Sequence, residues 1–176
     1  IDLNSDGKKD ILTTTTSPIS SIEWFDNATN WTPQVVDNTT GSIFPGDLDA
    51  DGYVDIILLN INELAWYQND GAGGFETKQV ISSDRVAYDF YYISRSLLVT
   101  DVDNDNDADI VIGSNSNGLD GVTSPVGSQI FINDGLLNFT STVIQNNIPA
   151  SFGYNLAPQM ADFNLDGNQD FLFGGL

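Results

Sequence analysis

Four acidic runs punctuate the chain: Asp2–Asp10 (DLNSDGKKD), Asp47–Asp55 (DLDADGYVD), Asp101–Asp109 (DVDNDNDAD) and Asp162–Asp170 (DFNLDGNQD). Loop position 1 is Asp2, Asp47, Asp101 and Asp162; position 3 is Asn4, Asp49, Asp103 and Asn164; position 5 is Asp6, Asp51, Asp105 and Asp166; position 9 is Asp10, Asp55, Asp109 and Asp170. Every one of these slots carries an oxygen donor. Position 6 is Gly7, Gly52, Asn106 and Gly167, residues that tolerate positive φ, so the backbone can turn sharply there.

Electrostatics says what the loop turns around. Carboxylates converging at about 4–5 Å repel pairwise by on the order of 1 kcal/mol in water, and by up to roughly 4 at an effective dielectric near 20. A cation relieves this. With the backbone carbonyl of position 7 (Lys8, Tyr53, Asp107, Asn168) each loop offers five protein groups, and a bidentate carboxylate or a water completes the six to eight oxygens that calcium prefers. Magnesium dehydrates reluctantly and suits such a cage poorly. The expectation is up to four calcium ions.

These loops are not EF-hands, whose position 12 is a bidentate Glu leading into a helix. Position 12 here is Thr13, Leu58, Ile112 and Phe173, and short apolar runs follow each loop: Ile11-Leu12, Ile56 to Leu59, Ile110 to Ile112, Phe171 to Phe173. Apolar runs of this length between turn residues read as buried strands.

Composition agrees. The 176 residues carry a net charge of −20, but 22 of the 25 acids are Asp, and 14 of those are side-chain ligand candidates in the four loops. The acidity is mainly a cation-site signature, and it argues against nucleic acid, whose phosphates it would repel. No His and no Cys is present, which removes His-dependent nucleophilic triads, thiol chemistry, disulfides and the usual zinc ligands. No stretch approaches 18 apolar residues, so no membrane-spanning helix is expected. Ion-stapled loops without disulfides suit the high calcium outside the cell, so an extracellular, secreted or cell-surface setting is expected.

The loop starts lie 45, 54 and 61 residues apart, the spacing of propellers or arrays built from one supersecondary unit. The second repeat shows the unit: strands at 42–46, 55–60, 63–68 and 75–81, with Asn69-Asp70-Gly71 as a hairpin turn. A second signature aligns with it, in Trp24-Phe25-Asp26-Asn27, Trp66-Tyr67-Gln68-Asn69 and Ile130-Phe131-Ile132-Asn133. Trp31, Phe75 and Phe139 are expected to open the fourth strands. The fold class expected is all-β: β-propeller blades of four antiparallel strands. The repeats span about 1–40, 41–95, 96–155 and, in part, 156–176 of a single propeller segment, and its aromatic third strands pack blade against blade.

The acidic loop followed by an apolar strand, with Ala65-Trp66-Tyr67-Gln68-Asn69-Asp70-Gly71-Ala72-Gly73-Gly74-Phe75 downstream, resembles the FG-GAP/VCBS repeat of integrin alpha-chain propellers and many secreted proteins. The resemblance covers nearly the whole chain. It implies that each loop joins the first and second strands of a blade, that the sixteen side chains named above bind calcium structurally, and that three to four blades of a larger, seven-bladed propeller are present. Departures are Asn106 in the glycine slot and a relaxed third-strand motif in the third repeat.

In a four-stranded antiparallel blade the acidic loops and the Asn-Asp-Gly turns share one face. The other holds the connections of variable length, and by the same resemblance it is the ligand-binding face. Tyr88, Tyr91, Tyr92 and Arg95 are its candidate contacts, since loops on a rigid scaffold carry binding and aromatics with Arg make anchors; inward packing of these tyrosines stands as the other reading. Sequons fall at Asn27, Asn30, Asn38 and Asn138, candidate glycosylation sites.

The function expected is that of a non-catalytic, calcium-stabilised extracellular propeller segment serving adhesion or the binding of a protein or glycan. The alternatives are the propeller part of a polysaccharide-acting enzyme, which needs an acid/base pair that the acids outside the loops do not display, and a building block of an extracellular surface polymer. The chain begins one residue before a loop and ends one strand after another, so open blade edges are expected to favour flanking repeats or self-association.

Overall fold

The computed structural model describes residues 1–16, 18–60, 62–83, 96–113, 128–144, 158–167 and 169–172. Its strands form two compact units, Ile1–Asp84 and Arg85–Leu176. In the first, β1 (Ile11–Thr15), β2 (Ser21–Asp26) and β3 (Thr32–Asp37) make one antiparallel meander, and β4 (Ser42–Gly46), β5 (Asp55–Leu59), β6 (Leu64–Tyr67) and β7 (Gln79–Ser82) make a second. In the second unit β8 (Ser96–Thr100), β9 (Asp109–Gly113), β10 (Gln129–Asn133) and β11 (Phe139–Val143) repeat the four-stranded pattern, and β12 (Gln159–Ala161) pairs with β13 (Asp170–Leu172). The architecture is all-β, and the four-stranded antiparallel blade is its unit.

Register places the acidic loops. Gly46 pairs with Asp55, Thr100 with Asp109 and Ala161 with Asp170, so the second, third and fourth loops each close the hairpin between a first and a second strand, with the position-9 Asp opposite the residue just before position 1. The strands after the second and third loops are core strands: every residue of β5 and of β9 is buried. This is why those segments read as unbroken apolar runs rather than alternating ones.

Ile22, Ile56, Leu58 and Tyr67 form a buried cluster in the first unit, with Leu12, Val36, Ile43 and Phe75 packed on it. It draws on both sheets, and the Tyr67 hydroxyl adds a 2.7 Å hydrogen bond to Asp37 Oδ2. The third-strand aromatics Trp24, Trp66, Tyr67 and Phe131 are all buried, as core packing requires. A register shift recurs in corresponding strand pairs, between Ile22 and Glu23 and between Leu64 and Ala65, a bulge that increases local twist.

The structure corrects two local expectations. Trp31 does not open a strand: it sits at φ 62° beside Asn30 at φ 58°, 43% exposed, and β3 begins at Thr32. Two consecutive left-handed residues reverse the chain there and turn the indole outward. Phe75 makes only a single bridge, to Asn69, and its strand starts at Gln79. Asn69-Asp70-Gly71 does begin the hairpin between β6 and β7, which pair antiparallel, within a longer loop closed by Asp70 N–H to the Gly74 carbonyl at 3.0 Å. Phe139 does open β11.

Candidate metal centre

Each loop is held by carboxylates accepting backbone N–H groups. The position-9 Asp works hardest. Asp10 Oδ2 accepts from Leu3 N–H at 3.0 Å, Asp55 Oδ2 from Leu48 at 2.9 Å, Asp109 Oδ2 from Val102 at 2.8 Å and Asp170 Oδ2 from Phe163 at 3.0 Å. The other oxygen reaches across to the end of the third strand: Asp10 Oδ1 accepts from Asn27 N–H at 3.0 Å, Asp55 Oδ1 from Asn69 at 2.9 Å and Asp109 Oδ1 from Asn133 at 2.8 Å. Those three Asp side chains are buried, and the paired N–H donors offset much of the cost of burying the charge.

Position 1 closes the turn. Asp2, Asp47, Asp101 and Asp162 each accept the position-6 N–H, from Gly7, Gly52, Asn106 and Gly167, at 2.9–3.0 Å. Position 6 takes φ between 75° and 91°, as expected from Gly and Asn. Position 3 accepts the position-5 N–H in three loops (Asn4, Asp49, Asn164), and position 5 accepts the position-7 N–H in three (Asp6 from Lys8, Asp51 from Tyr53, Asp105 from Asp107). In the third loop the Asp105 N–H goes to Asp101 Oδ1 instead. Asn168 lies outside the described residues.

Carboxylate oxygens of Asp47, Asp49 and Asp55 come within 4.8 Å of one another, as do those of Asp101, Asp103 and Asp109. Asp51 and Asp105 stand outside these groupings. Burial, reinforced by the charges of Asp49 and Asp51 and opposed by its backbone donors, pushes the Asp55 carboxyl up to about 7. Burial raises Asp109 and Asp49 in the same direction.

The fit of a cation rests on an unpartnered atom. Oδ1 of Asp2 and Oδ1 of Asp47 are both buried and accept no hydrogen bond, while the second oxygen of each is engaged by the position-6 N–H. A buried carboxylate oxygen without a partner is costly, and a bound cation removes that cost. The donors are all oxygen, which selects a hard cation, and their number suits calcium.

Three features of the site escape a reading of the loops alone. The first is the clamp residue at the end of the third strand. Asn69 is buried, donating Nδ2–H to the carbonyls of Val54 (2.9 Å) and Leu3 (3.0 Å); Asn27 and Asn133 donate likewise to Lys9 (3.3 Å) and Ala108 (3.2 Å). Its signal was in the sequence, since all three close the aligned aromatic signature. The second is Gln68, whose Nε2 donates to Asp49 Oδ2. The third is position 4, where Ser5, Ala50, Asn104 and Leu165 all adopt left-handed backbone at φ 58–64°. Ser, Ala and Leu give no warning of that.

Of the sequons, Asn27, Asn30, Asn38 and Asn138 are all exposed. Asn138 Nδ2 is engaged with both oxygens of Asp134 at 2.9 and 3.3 Å, which holds the Asp134 carboxyl below its usual range. Among the described residues, Asn30 Nδ2 makes no hydrogen bond that competes with a glycan. Tyr88, Tyr91, Tyr92 and Arg95 lie outside the described residues. No helix among the described residues is long and apolar enough to cross a membrane.

Acidic hairpin loops repeated on four-stranded antiparallel sheets define the class: a β-propeller-like repeat protein. The model of the FG-GAP-like repeat matches residues 2–58, 47–112 and 101–173, and the chain belongs to that family. No curated protein sequence matches it. Among solved structures it is similar to a lectin of Agrocybe aegerita, described for specific recognition of non-reducing terminal N-acetylglucosamine, at 18% identity and a TM-score of 0.55. The match covers 95% of this chain but 47% of the lectin, so the chain spans about half the length of that relative. At this identity the likeness concerns the fold.

Proposed function

We propose that this chain is a calcium-stabilised, non-catalytic segment of an extracellular β-propeller that recognises a glycan or protein. The observation that carries the calcium reading is the buried, unpartnered Oδ1 of Asp2 and of Asp47, each inside a loop of oxygen donors. The non-catalytic reading is supported by the engagement of the loop carboxylates: position 9 holds two backbone donors and position 1 one, so these acids build the scaffold. The recognition reading draws on the fold shared with a lectin, and on the general use of such scaffolds to present binding loops. The stretch between Ser82 and Ser96, with Tyr88, Tyr91, Tyr92 and Arg95, is the candidate contact. The lectin's sugar makes glycans ending in non-reducing N-acetylglucosamine the first class to examine.

The test has two arms. Thermal melting in excess chelator and in millimolar calcium is expected to show a loss of stability that calcium restores, because an ion bound only by the folded form stabilises it by mass action. An unchanged melting temperature contradicts the calcium reading. A glycan panel probed with the calcium-loaded chain is expected to return a defined terminal sugar, whereas binding to no glycan moves the reading to a protein partner.

A further inference from the structure

The loops of the first unit are joined by hydrogen bonds across its two sheets. Leu3, at position 2 of loop 1, donates its N–H to Asp10 Oδ2 and accepts Asn69 Nδ2–H at its carbonyl. Asn69 in turn donates its backbone N–H to Asp55 Oδ1, the position-9 carboxylate of loop 2. A continuous chain therefore runs from Asp10 through Leu3 and Asn69 to Asp55. Leu3, Asp10, Asn69 and Asp55 are all buried, so water does not substitute for a broken link without opening the interface.

Asparagine is suited to this place. Its two Nδ2–H groups serve two carbonyls, Val54 of its own loop and Leu3 of the neighbouring one, while Oδ1 accepts Gly71 N–H at 2.9 Å. Both hydrogens and the oxygen of the side-chain amide are thus engaged. The same turn leans on loop 1 a second time, since Gly73 sits so close that an added Cβ would stand 2.7 Å from the Trp24 ring and 3.4 Å from Cβ of Asn4, the position-3 side chain.

We infer that Asn69 is a positioning residue for two cation loops at once, so that filling loop 2 prepares loop 1 and filling loop 1 prepares loop 2. An ion that draws in Asp55 fixes the Asn69 backbone, hence its side-chain amide, hence the Leu3 peptide that orients Asp10. The ordering is done once and used by both ions, which makes the coupling positive and reciprocal. This inference rests on the calcium reading above.

The experiment is a calcium titration of the full chain followed by amide NMR, with the Gly7 and Gly52 N–H signals reporting loops 1 and 2 separately because each donates to its own position-1 carboxylate. Disabling loop 2 with Asp47→Ala is expected to weaken calcium at Gly7 at least about fivefold, and disabling loop 1 with Asp2→Ala to weaken it at Gly52 by the same factor. Asn69→Ala is expected to remove this reciprocity, leaving each loop indifferent to the other. The two Asp variants leave Asn69 intact, so the coupling is measured even where Asn69→Ala does not fold. Equal affinities with and without the neighbouring loop overturn the inference, as does reciprocity that survives in Asn69→Ala. Failure of calcium to move either glycine signal in the unaltered chain overturns the calcium reading itself.

Discussion

At the scale of single residues, Asp55 does two jobs that pull on its protonation in opposite directions. Burial raises the Asp55 carboxyl from 3.8 to about 7 in the ion-free protein. Its folded-state value thus exceeds its unfolded one, so protonated Asp55 favours the fold: that contribution is complete below pH 3.8 and is lost as the pH rises through about 7. Calcium must displace the same proton. Affinity at loop 2 is therefore expected to fall as the pH drops below 7, approaching tenfold per pH unit, in calcium titrations at pH 7.5, 6.5 and 5.5; an affinity flat across that range contradicts it. The ligand positions were legible in the sequence because Asp2, Asp47, Asp101 and Asp162 and their companions repeat in register. Asn69 was visible as a repeated letter but not as a clamp, because its role depends on a carbonyl 66 residues away, at Leu3.

At the scale of elements, the loop after each third strand is as constrained as the acidic loop beside it. Gly52 and Gly73 separate backbone cost from crowding. Both have φ near 90°, but a Cβ at Gly52 meets nothing within 4 Å, whereas one at Gly73 meets Trp24 at 2.7 Å. Gly52→Ala should cost about 1–2 kcal/mol from left-handed strain alone, and Gly73→Ala about 1–3 kcal/mol more, since overpacking is added. Denaturant midpoints of the two variants check this, and equal losses would show that Trp24 moves aside freely. In the Ser82–Ser96 stretch, alanine at Tyr88, Tyr91, Tyr92 or Arg95 is expected to weaken partner binding by roughly 1–4 kcal/mol while leaving the melting temperature nearly unchanged; lost stability without a binding defect returns these side chains to the core. Strands β4, β5 and β6 were legible to within a residue or two because their apolar runs are bounded by turns. Trp31 and Phe75 were misplaced because aromatic residues signal burial or strand only when the backbone cooperates, and Asn30 and Asn69 set a different path.

At the scale of the whole molecule, the four loops are not equal. Loops 2 and 3 carry Asp at positions 1, 3, 5 and 9, whereas loops 1 and 4 have Asn4 and Asn164 at position 3. Ligand charge tunes calcium affinity, so the first two ions are expected in loops 2 and 3, with the amides of Gly52 and Asn106 shifting before those of Gly7 and Gly167; the reverse order would contradict the ligand count. Repetition made the blade legible, whereas the repeat pattern does not by itself set how many blades a ring holds. The same repetition multiplies small costs. Position 4 is left-handed in all four loops, and its side chain is exposed in each. Ser5→Gly, Ala50→Gly and Leu165→Gly should each recover on the order of 0.5–1 kcal/mol of that strain, net of the extra freedom glycine gives the unfolded chain. Because each substitution is confined to an exposed position of its own loop, their gains should add. An engineer seeking a hardier version of this scaffold thus has an upgrade that touches neither a ligand nor the core, and the natural chain carries the unclaimed margin in every repeat but the third.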